Sequence, residues 1–173
     1  MGADKEKYSE LENLYIDIRE WLKFTETKNA ALLTFNAATL FGYLKLYENI
    51  DIFSKGKVLF SISIIGIFIS LLIVLFSFWP KKVEDLTFYS GNDFTSVNLL
   101  FYNNIEKIGI NKLKRAFAVK YYNKDINNLY YQDLVTQIYS LSVLTVRKSL
   151  FFKFGLIINC LSYIFFLVHL LVK

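Results

Sequence analysis

The chain has 173 residues, of which 54% are hydrophobic and 18% aromatic, with a formal net charge of +5 and a single proline. This apolar excess over a soluble average, with two stretches of roughly 20 residues free of charged side chains, excludes a multidomain soluble enzyme, a disordered tail and a disulfide scaffold. Cys160 and His169 are the only residues of their kinds, so neither an internal disulfide nor a multi-cysteine metal site is available.

The first 28 residues carry twelve charged side chains and no apolar run of the secretory kind, so this segment is expected to stay in water and uncleaved. Within it Leu11, Leu14, Tyr15, Ile18, Trp21, Leu22 and Thr25 recur at spacings of three and four. That period predicts an amphipathic helix over Ser9–Lys28, opened by a capping box of Ser9 and Glu12. No glycine or proline follows before the next apolar run, so the helix is expected to continue unbroken.

The segment Asn29–Leu44 is apolar but short, and it carries Asn29, Thr34, Asn36 and Thr39. Extended to Tyr47, with Lys45 snorkelling outward, it approaches spanning length and suits a helix packed on others through a polar face. An interfacial or half-inserted helix is the alternative. The clearest span is Val58–Trp79, fenced by Lys57 and by Lys81-Lys82. It would be about 33 Å long as a helix, with Trp79 at the interface and Pro80 ending it. Between these two lies a short loop with Glu48, Asp51 and Gly56, expected outside the cell.

Residues 80–153 follow as a polar insert. Gly91-Asn92 and Gly109 mark turns. The apolar stretches Leu99–Tyr102 and Ala116–Val119 need partners, and helices from a small bundle would supply them. From Asp125 to Lys153 there is no glycine or proline, and Ile126, Tyr130, Leu134, Ile138, Leu141 and Thr145 share one face. This helix is expected to run into a last span, Phe154–Val172, with Gly155 as a soft point at the boundary. His169, inside that span, is poorly placed as a catalytic base and reads as a helix-packing polar residue.

The expected fold is thus an all-α membrane protein with three transmembrane helices and a small cytoplasmic helical portion. Its parts are a cytoplasmic amphipathic helix over 1–28, a transmembrane hairpin over 29–79 (spans 29–47 and 58–79), a cytoplasmic, mostly helical sensing segment over 80–153, and a C-terminal span over 154–172. Residues 1–28 and 81–153 hold sixteen of the twenty lysines and arginines, which places the N-terminus in the cytoplasm of a multi-pass inner-membrane protein. Much of the positive charge flanks apolar runs, so no nucleic-acid partner is expected.

Two further patterns bear on function. The seven glycines are never closer than ten residues apart, which excludes a glycine-rich phosphate cradle. Ser63, Gly66, Ser70 and Ser77 lie on one face of the second span, a seam of small residues for helix packing. Such a seam serves packing within the chain or, alternatively, between chains of a homo-oligomer. No metal site and no acid–base constellation stands out, so the protein is not expected to be an enzyme and needs no cofactor.

The run Trp21-Leu-Lys-Phe-Thr-Glu-Thr-Lys28-Asn-Ala-Ala-Leu-Leu33 opens the first span with an acidic residue, one intervening position, then lysine and alanines. With Asn98-Leu-Leu-Phe101, Tyr131-Gln-Asp-Leu134, Gln137-Ile-Tyr139 and Arg147-Lys148, it resembles the transmembrane effectors of Pycsar, the bacterial pyrimidine-cyclase antiphage system (the PycTM family). The resemblance covers nearly the whole chain. Glu26 stands where the family commonly has aspartate, and Tyr102-Asn103 stand where a glycine would follow Phe101. The resemblance implies an effector that senses cyclic CMP or cyclic UMP made by a partner pyrimidine (cytidylate or uridylate) cyclase. It would then impair the inner membrane, causing growth arrest or abortive infection. A SLATT-like membrane sensor or adaptor that leaves the bilayer intact is the alternative. A cyclic nucleotide is an anion with a stacking base, so Lys28, Arg147 and Lys148, at the membrane face, and Tyr131 among several tyrosines (Tyr102, Tyr121, Tyr122, Tyr130) are candidate contacts. Glu26 is expected to pair with Arg147 or Lys148, since Lys28 is two residues away and points elsewhere, and Asn36 is a structural polar residue of the first span.

Overall fold

A computed structural model describes residues 2–47, 55–80, 97–122 and 128–172, with side chains described for 9–47, 57–80, 97–120 and 128–171. The described residues are helical, joined by turns, with no strand among them. Helix α1 is Gly2–Tyr47, α2 is Lys55–Phe76, α3 is Tyr102–Ile108, α4 is Ile110–Phe117, and α5 is Leu129–Val172. A single π-helical turn, Ala118–Tyr122, follows α4. The expected external loop with Glu48 and Asp51, the Gly91-Asn92 turn, the start of the expected helix at Asp125-Ile126, and the side chains of Tyr121 and Tyr122 lie outside what is described.

Helix α1 is continuous for 46 residues. The helix already starts at Gly2, with Ala3, Lys5, Glu6 and Lys7 as good helix formers in its first turns, so Ser9 is an interior residue and not the expected cap. At the other end of its hairpin, α2 stops at Phe76, before Trp79. Its chain then tightens through Ser77 N to Val74 O (3.0 Å), Phe78 N to Leu75 O (3.1 Å) and Trp79 N to Phe76 O (3.2 Å). These three-residue bonds use carbonyls that the helix end would otherwise orphan, and the residue before Pro80 is disfavoured in helix.

The chain divides into two compact units. Unit 1 comprises Met1–Phe24 with Lys81–Arg147, and unit 2 comprises Thr25–Pro80 with Lys148–Lys173.

Unit 1 has an ordinary apolar interior. Leu11, Leu14 and Ile18 of α1, Leu99 in the turn before α3, Ile105 and Ile108 of α3, Leu113 and Phe117 of α4, and Tyr131, Val135 and Ile138 of α5 are all buried together. Fully burying each large side chain contributes about 1.5–3 kcal/mol. Gly109 separates α3 from α4 with φ 80° and ψ 152°, a region that a side chain would disfavour. On α5 the expected Ile138 and Thr145 are buried, but Tyr131, Val135 and Ser142 are inside where Tyr130, Leu134 and Leu141 were expected, and Tyr130 is half-exposed. Tyr130 instead donates from its hydroxyl to Glu12 (2.5 Å).

Unit 2 inverts that pattern. Its three helical segments bury Thr25, Asn29, Leu32, Asn36 and Tyr43 of α1, Phe60, Ser63, Ile67, Ser70 and Val74 of α2 with Ser77 just past its end, and Asn159, Ser162 and His169 of α5. The steps alternate between three and four residues, the seven-residue period of helices wound in a left-handed sense. Outside lie Phe35, Phe41, Leu44, Ile62, Ile65, Phe68, Leu75, Phe154, Ile157 and Ile164, all large, apolar and exposed. Among the described residues, two helices are long and apolar enough to cross a membrane: Lys57–Phe76, with mean hydropathy 3.0, and Leu129–Leu171, whose most apolar part reaches 2.1.

Candidate functional site

The interior of unit 2 is held by side-chain hydrogen bonds. Asn159 of α5 donates to the Asn36 carbonyl oxygen of α1. Asn36 Nδ2 donates to Ser70 Oγ of α2 at 2.8 Å, and Ser70 Oγ donates to the Gly155 carbonyl of α5 at 2.7 Å. The chain of donors therefore visits all three helices and returns to the first. On either side of this ring, Ser63 Oγ donates to Ser162 O (2.8 Å), Thr39 and Tyr163 share a hydroxyl bond (2.8 Å), and Asn29 Nδ2 donates to Lys148 O (3.1 Å). Where backbone groups are already paired within helices, such side chains are the remaining means of fixing helix register.

Each α2 residue of the sequence-derived seam faces the same chain. Ser63 and Ser70 bond to α5, and a Cβ placed on Gly66 would collide with Ser162 Oγ. Ser77, just past the end of α2, is buried, and its hydroxyl has no hydrogen-bond partner among the described residues.

Lys148 forms an ion pair with Glu26, one of the two partners open to that carboxylate from the sequence. Its ammonium also lies 5.8 Å from the Phe78 ring centroid. Lys28 is exposed and sits 5.8 Å over the ring of Phe152.

Unit 1 carries a different arrangement. Asp17, Glu20, Trp21 and Phe24 share one face of α1 at helical spacing, and with Leu100, Phe101 and Tyr102 they line a cleft of about 490 Å³ floored by Ile18. Its far wall is shaped by Asn98, whose side-chain carbonyl accepts from the Leu100 amide (2.9 Å) and whose backbone carbonyl accepts from Asn104 Nδ2 (3.1 Å). That side-chain turn pushes Leu100 and Phe101 outward, just before α3 starts at Tyr102. The Trp21 ring lies 5.9 Å from Tyr102 and edge-on to Phe24 at 6.1 Å. Trp21, Phe24 and Phe101 each keep about half of their surface exposed. The volume fits one small planar ligand, aromatic faces can stack on it, and the two carboxylates can accept from N–H or O–H groups. No lysine or arginine is among the lining residues, so the cleft itself offers no cation to an anionic group.

A family model described as the Pycsar effector protein domain matches residues 10–173. The chain belongs to that family. No curated protein and no solved structure matches it.

Within this Pycsar effector domain, the sequence-derived candidates fall in both units. Lys28, Lys148, Glu26 and Asn36 belong to unit 2, and Arg147 and Tyr131 to unit 1. Tyr131 is a core residue, 2% exposed, with its hydroxyl donating to Lys114 O (3.2 Å). The cleft residues Asp17, Glu20 and Phe24 were not singled out by periodicity. Trp21 was assigned to the buried face of its helix and is instead half-exposed. The available signal was the spacing of Asp17, Glu20, Trp21 and Phe24, which puts two carboxylates and two rings on one side of a helix.

Glu106 of α3 holds its proton above the ordinary carboxyl range, because burial penalises its charge more than neighbouring Lys107 favours it. Tyr130 is likewise raised, chiefly by its hydrogen bond to Glu12.

Proposed function

We propose that this Pycsar effector is an antiphage protein of the bacterial inner membrane that responds to a cyclic pyrimidine nucleotide, cyclic CMP or cyclic UMP, made by a partner cyclase. Its response impairs the membrane and arrests growth before phage mature. It acts as a ligand-controlled membrane element and not as an enzyme.

The observation that carries this reading is the opposite burial of the two units. Unit 1 hides its large apolar side chains, as a body in water must. Unit 2 buries asparagine, serine and histidine beside Leu32, Phe60, Ile67 and Val74, and exposes many phenylalanine, leucine and isoleucine side chains, as a body in lipid does. This favours counting residues 29–47 of α1 as a third span. The segment is less apolar than the other two because its polar face carries the buried Asn29 and Asn36 and the half-buried Thr39, while Phe35, Phe41 and Leu44 face out. With three spans, residues 1–28 and 81–153 would share one side, and their concentration of lysine and arginine supports reading that side as the cytoplasm. There the aromatic cleft meets a soluble second messenger, with the base stacked on Trp21 or Tyr102 and hydrogen-bond donors directed to Asp17 and Glu20. The ligand can act only by binding one arrangement of the helices more tightly than another.

The deciding experiment reconstitutes the full chain in vesicles of phosphatidylethanolamine and phosphatidylglycerol and follows membrane potential with a voltage-sensitive dye. Addition of cyclic CMP or cyclic UMP is expected to collapse the potential, with purine cyclic nucleotides inert. Correct insertion without depolarisation by either pyrimidine would overturn the reading in favour of a SLATT-like adaptor that signals through another protein.

A further inference from the structure

Asp17 and Glu20 stand three residues apart on α1 and line the cleft of unit 1 beside Trp21 and Phe24. Both are exposed, and neither has a hydrogen bond or ion pair among the described residues. Their oxygens are therefore free to accept, and a carboxylate donates nothing.

The rings of the cleft lie against one another. Phe101 is 4.8 Å from Tyr102, Tyr102 is 5.9 Å from Trp21, and Trp21 is 6.1 Å from Phe24. A base held between two rings needs about twice the ~3.4 Å spacing of stacked bases, so none of these pairs is a slot. A base instead lies on one open face, and the half-exposed Trp21 offers the largest. Stacking accepts any base, because every base has a π-face. The choice of base then falls to the polar groups at its edge. With the base on the Trp21 face, the indole N–H lies in the ring plane and is not aimed at that edge. The Tyr102 hydroxyl both donates and accepts, so it favours neither pyrimidine. Asp17 and Glu20 accept only.

The two pyrimidines differ where such a wall discriminates. Cytosine carries an amino group at C4, with two N–H donors. Uracil carries a carbonyl there, and its one edge donor, N3–H, is flanked by O2 and O4. A carboxylate that accepts from uracil N3 meets a carbonyl oxygen on each side. One that accepts from the outer N–H of cytosine N4 meets only C5–H. Acceptance from cytosine N4 is the usual pairing of an acidic side chain with a base. No lysine or arginine lines the cleft, and two carboxylates repel a phosphate, so the cyclic phosphate faces out to water.

We propose that Asp17 and Glu20 read the exocyclic amino group of cytosine, so that this effector answers to cyclic CMP and rejects cyclic UMP. The proposal rests on the reading that a cyclic pyrimidine nucleotide occupies this cleft, and it names which one.

The test is calorimetric titration of the full chain in mixed micelles. The ligands are cyclic CMP, cyclic UMP and the cyclic nucleotide of pyrimidin-2-one, which has hydrogen at C4. Cyclic CMP is expected to bind about tenfold or more tighter than cyclic UMP, the scale of one base-reading contact. The pyrimidin-2-one nucleotide is expected to lose most of that advantage, because it lacks the amino donor; this result needs no variant to fold. Asp17→Asn with Glu20→Gln keeps the shape and supplies N–H groups that uracil O4 can accept. The preference is expected to shrink by about threefold or more, with helical circular dichroism unchanged. Equal affinities, a preference for cyclic UMP, or a preference that neither the double variant nor the loss of the amino group reduces would overturn the cytosine reading. Binding that Trp21→Ala weakens would in those cases leave the nucleotide in the cleft. Folded wild type that binds neither nucleotide would overturn the nucleotide reading itself.

Discussion

Asn159 donates to the oxygen of the same Asn36 amide whose nitrogen donates to Ser70. One side chain of α1 therefore sits between the other two helices of its unit, acceptor to one and donor to the other. Truncating it strands Asn159 Nδ2 and removes the donor to Ser70. In a double-mutant cycle of Asn36→Ala and Asn159→Ala, we expect a coupling of about 0.5–1.5 kcal/mol, the range measured for such bonds in bilayer proteins. Denaturant unfolding in mixed micelles, followed by helical circular dichroism, reads it. Strictly additive losses would show that the two amides do not share this bond in solution.

The ion pair of Glu26 and Lys148 joins α1 to α5 where both enter unit 2. Lys148 is well covered, while Glu26 is more than one-third exposed, which holds the pair to the weak end of its class. Each single reversal, Glu26→Lys or Lys148→Glu, is expected to lower stability by about 0.5–1 kcal/mol through like-charge contact. The double reversal recovers most of that loss. The same unfolding assay checks it, repeated at high salt, where the differences shrink.

The two candidate spans were readable because about 20 uncharged residues in a row are long and apolar enough to cross a bilayer. The continuity of α1 was readable because nothing in its sequence breaks a helix. The Glu26–Lys148 pair was half readable: helix geometry removed Lys28 as a partner, but choosing between Arg147 and Lys148 needed the rotation of α5 about its axis. That same rotation hid the buried face of α5, where Tyr130 and Tyr131 are equally good aromatic candidates and only packing chooses Tyr131. The cleft was least legible. Its wall at Leu100–Tyr102 is placed by an Asn98 side-chain turn and by contacts distant in sequence, which no local period reports. The seam on α2 was plain from its serines, yet its partners Asn36, Asn159 and Gly155 come from two other helices.

Trp21 offers a direct readout of the cleft. The chain has two tryptophans, and Trp79 lies in unit 2, so Trp79→Phe leaves Trp21 as the single indole reporter. Titration with cyclic CMP or cyclic UMP is expected to quench its emission through stacking. Trp21→Ala is expected to weaken binding by about 1–3 kcal/mol, the usual cost of losing one base–aromatic stack. Calorimetry on the unlabelled chain provides the comparison. An unchanged affinity in Trp21→Ala would move the nucleotide out of this cleft.

Gly66 tests how tightly the seam is closed. An alanine there brings its methyl group against Ser162 Oγ, an atom already fixed by its bond to Ile158 O at 2.8 Å. Overpacking of this kind costs about 1–3 kcal/mol. Ser162→Ala in the same chain removes the colliding oxygen and is expected to restore part of the stability, although its own Cβ, 3.2 Å from the new methyl, keeps the contact tight. A Gly66→Ala variant as stable as wild type would place α2 and α5 further apart than described.

Glu106 gives the pH dependence of unit 1. Burial raises its folded pKa above the ordinary value of 4.5, with Lys107 opposing the rise. The folded state therefore holds the proton more tightly than the unfolded chain. The contribution of the protonated carboxyl is complete below 4.5 and is lost as pH rises through the raised folded value. Above that window the charged carboxylate is partly desolvated and works against the fold. Glu106→Gln keeps the shape and removes the titration, so it is expected to raise the melting temperature at pH 7 and leave it nearly unchanged at pH 4. Melting followed at both pH values in the same detergent checks this. An equal shift at the two would mean that Glu106 acts through shape or hydrogen bonding, because a desolvated charge affects stability only where it is ionised.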